Sequence, residues 1–120
     1  MPILFPQPRS AIVIMAYRTP YHQPITFKAG DILAIGRVDE RHPGWVWTTT
    51  PSGAGGWAPL SALAITDDHA TARQDYDARE LDLDVGQVLT LKQEESGWFW
   101  AQRGDGASGW VPADHVQLLD

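Results

Sequence analysis

The chain contains no cysteine among its 120 residues. Disulfides, thiol catalysis and cysteine-based zinc sites are therefore excluded. No apolar run approaches the roughly 20 residues that a membrane-spanning helix requires. The first ten residues hold three prolines and no basic segment ahead of an apolar one, which is not the pattern of a signal peptide. We therefore expect a cytoplasmic protein that does not bind membranes.

Recognisable catalytic motifs are also lacking. The chain has no Gly-x-Ser-x-Gly segment, no phosphate-binding loop and no nucleophile–base pair, and no carboxylate pair is singled out by its spacing. Its four histidines lack metal-ligand spacing, and each is expected on a loop or on the surface: His22, His42, His69 and His115. We expect a protein that is not an enzyme and has no cofactor or metal.

Basic residues are scarce: nine stand against fifteen acidic ones, for a net charge of −6. Residues 1–65 carry five basic and three acidic side chains, a net +2, whereas residues 66–120 carry four and twelve, a net −8. An acidic second half argues against nucleic-acid binding and allows a basic peptide partner. The alternative is that the surplus carboxylates only keep a small domain soluble.

No segment has a sustained helical periodicity. Short β-branched or alternating runs, separated by turn residues, predict an all-β fold of small barrels. Outside two tryptophan-rich hairpins, strands are expected at residues 12–17, 25–27, 32–35, 64–65, 70–73, 80–83, 88–91 and 117–119. Single 3₁₀ turns are expected at residues 59–63 and 112–116.

The two hairpins are a duplication. Each member of one set recurs 53 positions later, and the two sets use all six tryptophans: Trp45, Trp47, Trp57 and Pro59, then Trp98, Trp100, Trp110 and Pro112. The repeat predicts an N-terminal tail at residues 1–10 and two lobes, 11–66 and 67–120, joined at the short segment 66–69. Because lobes of this size bury little surface, we expect them to pack on each other.

Four motifs follow one another in the second repeat, at residues 72–76, 81–87, 98–99 and 109–116. They resemble the Ala-x-Tyr-Asp-Tyr, Leu-x-Phe-x-x-Gly-Asp, Trp-Trp and Gly-x-x-Pro-x-x-Tyr-Val motifs of the Src-homology-3 (SH3) family. The first repeat fits more loosely, through Tyr17, Gly30-Asp31, Trp45 and residues 56–59. As a whole the chain resembles small bacterial proteins of two tandem SH3-like domains, which implies two five-stranded barrels.

The resemblance also implies a peptide-binding groove on each lobe. In the second lobe the matching ligand-binding residues are Tyr76, Trp98, Trp100, Pro112 and His115, and in the first they are Tyr17, Trp45 and Pro59. An acidic specificity loop is implied at Asp75, Asp77 and Glu80. The pattern departs from the family at Gln74 and His115, which replace tyrosines, and at Ala62, where an aromatic residue is expected.

Barrel volume decides the expected direction of the tryptophans. A barrel this small has room for Val46 with Ala58, or Phe99 with Val111, but not for several indoles. Strand alternation then turns each tryptophan set outward as an aromatic patch. Such patches tend to mark interfaces. Either the lobes bury most of this surface between them, or an open patch binds a partner.

Three functions are compatible with these features. The leading one is a non-catalytic interaction module that binds a peptide or protein, with proline-rich or basic segments among the expected ligands. The alternatives are a cell-wall or glycan-binding module and, disfavoured by the acidic charge, a nucleic-acid-binding barrel. Glu80, Asp82 and Asp84 share a strand face and are expected to form a solvated acidic loop that can attract a ligand's Arg or Lys. The proline-basic segment at residues 6–9 could also dock into a groove of its own or a neighbouring chain.

Overall fold

The structure is a computed structural model and describes residues 3–119. It is nearly all β, as the sequence predicts. The described residues form twelve strands and two 3₁₀ turns: β1 (Ile3–Val13), β2 (Thr26–Phe27), β3 (Ile32–Val38), β4 (Trp45–Thr49), β5 (Gly55–Pro59), η1 (Leu60–Ala62), β6 (Leu63–Thr66), β7 (His69–Ala72), β8 (Tyr76–Asp77), β9 (Val88–Glu95), β10 (Trp98–Arg103), β11 (Ser108–Pro112), η2 (Ala113–His115) and β12 (Val116–Leu118). None of them is a helix long and apolar enough to cross a membrane.

Two compact units divide the chain, and one of them is discontinuous in sequence. The split unit comprises Met1–His22 and Arg79–Asp120, and the inserted unit is Gln23–Ala78. These units differ from the predicted lobes 11–66 and 67–120, because each takes one segment from the other sequence repeat. Packing of the two units on each other stays a prediction.

The split unit contains a five-stranded antiparallel sheet in the order β11-β10-β9-β1-β12. Strand β1 comes from the first repeat and lies between two strands of the second, paired with β9 on one side and β12 on the other. Ala11 and Val13 of β1 are buried in one core with Leu89, Leu91 and Phe99. The first repeat therefore completes the core of the second.

Residues 3–10 are part of β1, so the predicted N-terminal tail is wrong for the described residues. The register between β1 and β9 shifts between Leu4 and Arg9, which pair with Gln93 and Leu91. The bulge between them holds both prolines of the segment, and a proline has no N–H to give to a sheet. Phe5 packs partly against the core, with its ring centroid 6.1 Å from that of Phe99.

The inserted unit has the same sheet order, built from other segments. Its sheet is β5-β4-β3-β7-β6, and β2 pairs with β8. Strand β7 occupies the place that β1 has in the split unit, between the strand before the tryptophan hairpin and the strand after the 3₁₀ turn. Relative to the split unit, the inserted unit is therefore circularly permuted, because its β7 follows β6 in the chain.

A two-residue turn explains this arrangement. Strands β6 and β7 form an antiparallel hairpin in which Thr66 pairs with His69, so that only Asp67 and Asp68 connect them. Asp67 has a φ of 55°, the left-handed conformation that aspartate tolerates in tight turns. Two residues cannot carry β7 to another sheet, so β7 must pair beside β6. The corresponding place in the split unit is then left for β1.

The predicted directions of the hairpin side chains are partly confirmed. Val46, Ala58, Phe99 and Val111 are buried, as barrel volume requires. The neighbouring tryptophans are not all exposed, however: Trp45 retains 4% of its surface and Trp110 retains 5%. Trp110 lies against residues 79–81, since its N–H donates to the Arg79 carbonyl and its carbonyl accepts from Leu81. Trp45 is held by the preceding loop through hydrogen bonds with Asp39 and His42.

The charge asymmetry of the sequence halves does not describe the two units. The split unit carries five basic and eight acidic residues, and the inserted unit carries four and seven, so each has a net charge of −3. The difference arises because the inserted unit includes residues 66–78, which carry four of the acids of the second half: Asp67, Asp68, Asp75 and Asp77. A field from one strongly acidic lobe therefore cannot be part of a functional argument.

Candidate functional site

Three aromatic side chains meet on the split unit. The ring of Tyr17 lies edge-on to Trp98, with centroids 6.1 Å apart, and edge-on to His115, with centroids 5.5 Å apart. All three side chains are half-buried, so each keeps part of its surface open to solvent. Pro112 pairs with Trp98 across the β10–β11 hairpin and is buried. We call Tyr17, Trp98 and His115 the aromatic surface.

The aromatic surface joins residues that the sequence predicted in different lobes. Trp98 and His115 belong to the second repeat, whereas Tyr17 belongs to the first and takes the place expected for Tyr76. The backbone of Tyr17 exchanges two hydrogen bonds with Leu83, at 3.0 and 2.8 Å. The signal in the sequence that indicates this pairing is the short length of the segment between β6 and β7, which the repeat by itself predicts only as a linker.

A half-buried carboxylate supports the aromatic surface. The Tyr17 hydroxyl donates to Oε1 of Glu80 at 2.5 Å. Burial raises the pKa of Glu80 above its usual range, and hydrogen bonds from Tyr17 and Thr19 oppose this only in part. Burial and the adjacent Glu80 also raise the pKa of Tyr17, so its phenol stays neutral. The hydroxyl of Tyr17 is thus fixed as a donor to Glu80.

Two more acids flank Glu80 on the same segment. Asp84 forms a salt bridge with Arg18 at 2.5 Å. Oδ1 of Asp82 accepts a hydrogen bond from the backbone N–H of Thr19 at 2.9 Å. Within residues 3–119, no basic side chain forms an ion pair with Glu80 or Asp82. The segment therefore places two carboxyl groups beside the aromatic surface that have no ion-pair partner within the described residues.

The other two residues of the predicted acidic specificity loop lie in the inserted unit. Asp75 accepts the Ala29 N–H at 2.9 Å and pairs with Lys28 at 3.7 Å. Asp77 pairs with Thr26 between β8 and β2. Of the predicted loop, Glu80 contacts the aromatic surface, through the hydroxyl of Tyr17.

The predicted groove of the first lobe is not open. Of its predicted residues, Tyr17 lies in the split unit, and Trp45 and Pro59 are buried in the inserted unit. Tyr76, predicted for the other groove, is also in the inserted unit and is only 9% exposed. The Tyr76 ring packs on Phe27 at 5.2 Å between centroids, and its hydroxyl donates to the Trp57 carbonyl at 3.0 Å. These contacts make Tyr76 a core residue.

The remaining tryptophans form a pair on each unit. Trp47 and Trp57 are edge-to-face at 5.2 Å, with the guanidinium of Arg37 within 5.7 Å of both ring centroids. Trp100 and Trp110 are edge-to-face at 5.3 Å. Trp47 lies so close to Gly55 that a Cβ there would stand 2.7 Å from the indole. Trp100, which the resemblance predicts to bind ligand, contacts Trp110.

The described residues contain no group of three or more His, Asp or Glu side chains placed to hold a metal ion. The site that the geometry offers is an aromatic surface with adjacent carboxylates, which suits the binding of an extended segment.

Residues 71–119 match the variant SH3 domain family. The match covers less than half of the chain and crosses from the inserted unit, at β7, into the split unit. The chain is also similar to known SH3-related proteins. It is 27% identical to the SH3 and F-BAR domain-containing protein of Dictyostelium discoideum over 86% of its own length. It is 35% identical to the high osmolarity signaling protein SHO1 of Saccharomyces cerevisiae over 38% of its length.

Both relatives are much longer proteins and both are eukaryotic. The chain spans 22% of the Dictyostelium protein and 12% of SHO1. These similarities support an SH3-type domain over the second repeat. The resemblance to bacterial tandem proteins stays a prediction.

Replacing Glu80 by glutamine should change how stability depends on pH. Because burial raises the folded-state pKa of Glu80, its contribution to stability is present below its unfolded pKa and is lost as pH rises through the folded value. The free energy of unfolding of Glu80→Gln minus that of the wild type should therefore increase from about pH 4 to pH 7. Urea unfolding at several pH values measures this difference. A difference that is constant or decreases with pH would contradict the assignment, and Asp82→Asn on the exposed side provides the control.

Proposed function

We propose that this chain is a non-catalytic interaction module, and that the aromatic surface of the split unit binds an extended, proline-containing and basic segment of a protein. The observation that carries the proposal is the meeting of Tyr17, Trp98 and His115 beside acidic side chains that lack basic partners within residues 3–119. A polyproline-like peptide packs its rings between aromatic side chains.

Charge supports a basic segment over an acidic one. Glu80 and Asp82 lie next to the aromatic surface and form no ion pair with a basic side chain of residues 3–119, so an arginine or lysine of the ligand would form an ion pair there. Desolvation of Glu80 makes such a pairing more favourable than at a fully exposed carboxylate. The similarity of residues 71–119 to variant SH3 domains agrees with binding of this kind.

The inserted unit supports no second groove of the same type, since Tyr76, Trp45 and Pro59 are buried. We therefore propose one such surface on the described part of the chain. A glycan-binding or nucleic-acid-binding function has no comparable observation in its favour, since each unit has a net charge of −3 and the open aromatic residues lie beside carboxylates.

Trp98→Ala tests the proposal. Wild-type protein should bind members of a display library of proline-containing peptides, and selected sequences should be enriched in Arg or Lys next to proline. Trp98→Ala should lose about tenfold or more in affinity for them, because truncating a tryptophan at the centre of a binding surface costs about 2 kcal/mol or more. Trp47→Phe, on the inserted unit, is the matched control and should bind as the wild type does. Equal binding by Trp98→Ala would refute the proposal.

A further inference from the structure

His115 has a hydrogen-bonding arrangement that a groove tyrosine does not have. Its Nδ1 lies 2.7 Å from Oδ1 of Asp114. An ionised carboxylate can only accept a hydrogen bond, so Nδ1 must carry the proton in this contact. In the neutral ring the other nitrogen, Nε2, then has a lone pair and no hydrogen. His115 thus offers an acceptor at neutral charge and a donor only after protonation.

The position of His115 makes this polarity matter for a ligand. The ring is edge-on to Tyr17 in the aromatic surface, and its side chain is 18% exposed. The backbone of η2 is fixed as well, because the His115 carbonyl accepts the N–H groups of Ile14 and Met15 at 2.8 and 3.3 Å. A ligand on the aromatic surface therefore meets a ring that is held in one orientation from two sides.

We propose that His115 is a specificity-determining residue that makes binding of carbonyl-rich segments depend on pH. This inference rests on the proposed function. Proline residues have no N–H, so a proline segment presents only carbonyl acceptors along its backbone. The neutral ring, with a bare Nε2, is mismatched to such a segment. The protonated ring donates from Nε2 and matches it, so acidification strengthens the binding of proline segments.

The charged groups around His115 allow this assignment. Asp114, on the same turn, is the carboxylate that contacts Nδ1. Tyr17, from the segment after β1, faces the ring, and its phenol is held neutral by its bond to Glu80. Histidine side chains in general change their charge between about pH 5 and pH 8. Glu80 reaches His115 only through Tyr17 and is controlled for separately.

A ligand-free measurement tests the first step. In ring-nitrogen NMR spectra of the whole chain at about pH 8, His115 should be the tautomer protonated at Nδ1. Asp114→Asn should reduce that preference, because an amide can turn either its oxygen or its nitrogen to the ring. A wild-type ring protonated at Nε2 at this pH overturns the inference, whatever the protein binds.

A neutral probe tests the second step. Acetylated and amidated hexaproline carries no charge, so repulsion between a basic ligand and the imidazolium does not enter. The whole chain should bind hexaproline about fivefold more tightly at about pH 5.5 than at about pH 8, the value of one net hydrogen bond. His115→Tyr, with a hydroxyl that donates at both pH values, should bind with little pH dependence.

The control variants separate this inference from the proposed function. His69→Tyr, which changes an exposed histidine 3.7 Å from Asp68 in the inserted unit, should keep the wild-type pH dependence. Glu80→Gln should also keep it, and loss of the dependence in Glu80→Gln would overturn the role of His115. Equal wild-type affinity at both pH values overturns the inference and leaves the proposed function intact. Absence of hexaproline binding at both pH values overturns the proposed proline ligand itself.

Discussion

Val13→Asp is expected to unfold the split unit and to leave the inserted unit folded. Val13 is 1% exposed, in one core with Leu89 and Val111. Burying an unpaired carboxylate there costs more than about 4 kcal/mol, which approaches the whole stability of a small domain. The six indole N–H signals in a nitrogen-correlated NMR spectrum report on the two units separately, because each unit contains three tryptophans. Trp98, Trp100 and Trp110 should lose their dispersion, and Trp45, Trp47 and Trp57 should keep theirs.

The reciprocal variant is Ala72→Asp. Ala72 is buried in the inserted unit, and its backbone bonds to Asp31 and Gly30. Its tryptophan pattern should therefore be the reverse of that of Val13→Asp. Ile14→Asp is the matched control, because Ile14 is adjacent to Val13 in the chain but half exposed, and all six signals should persist. If each repeat used its own first strand, Val13→Asp would have the opposite effect. The tryptophan signals of the second repeat would stay dispersed, and those of the first repeat would lose their dispersion.

The fragment spanning residues 23–78 is expected to fold alone. It contains every strand of its sheet, and its ends meet where β2 pairs with β8 and the Ala78 N–H bonds to the Ile25 carbonyl at 2.9 Å. Domains of about 55–65 residues are often independently stable. Cooperative thermal unfolding, followed by circular dichroism, measures this outcome.

The fragment spanning residues 67–120 is expected to remain unfolded, although it is the predicted second lobe and contains the family match. It lacks β1, so β9 and β12 lose their shared neighbour and the core loses Ala11 and Val13. Adding a synthetic peptide of residues 1–22 should restore dispersed signals for its tryptophans. A cooperative transition in the bare fragment would show that its own residues 69–72 can replace β1.

Local patterns of the sequence predicted most of the elements. Side chains of a strand alternate between faces, so the inward positions of Val46, Ala58, Phe99 and Val111 could be predicted from volume and spacing. The strand at residues 3–11 could not, since its two prolines are typical of an extended tail. They are accommodated because they lie in a bulge between Leu4 and Arg9, outside the regular ladder.

The composition of the candidate site could be predicted only in part. Trp98, Pro112 and His115 follow from one repeat, and the structure brings them together. Tyr76 is predicted to join them because it belongs to the same sequence repeat, but it is buried in the inserted unit. Tyr17, from the first repeat, lies beside Trp98 instead. The burial of Trp45 and Trp110 depends on backbone contacts with distant segments or loops, which strand alternation does not describe.

The sequence by itself determined the all-β class and the inward positions of Val46, Ala58, Phe99 and Val111, because these depend on local alternation. Tertiary structure alone decided which first strand joins which hairpin. Ala11, Val13 and Tyr17 have the same spacing as Ala70, Ala72 and Tyr76, so either segment suits either sheet. The two-residue turn between β6 and β7 keeps β7 paired with β6. The position between β9 and β12 in the sheet of the split unit is therefore occupied by β1. That geometric constraint puts Tyr17 on the aromatic surface and divides the charge equally between the two units.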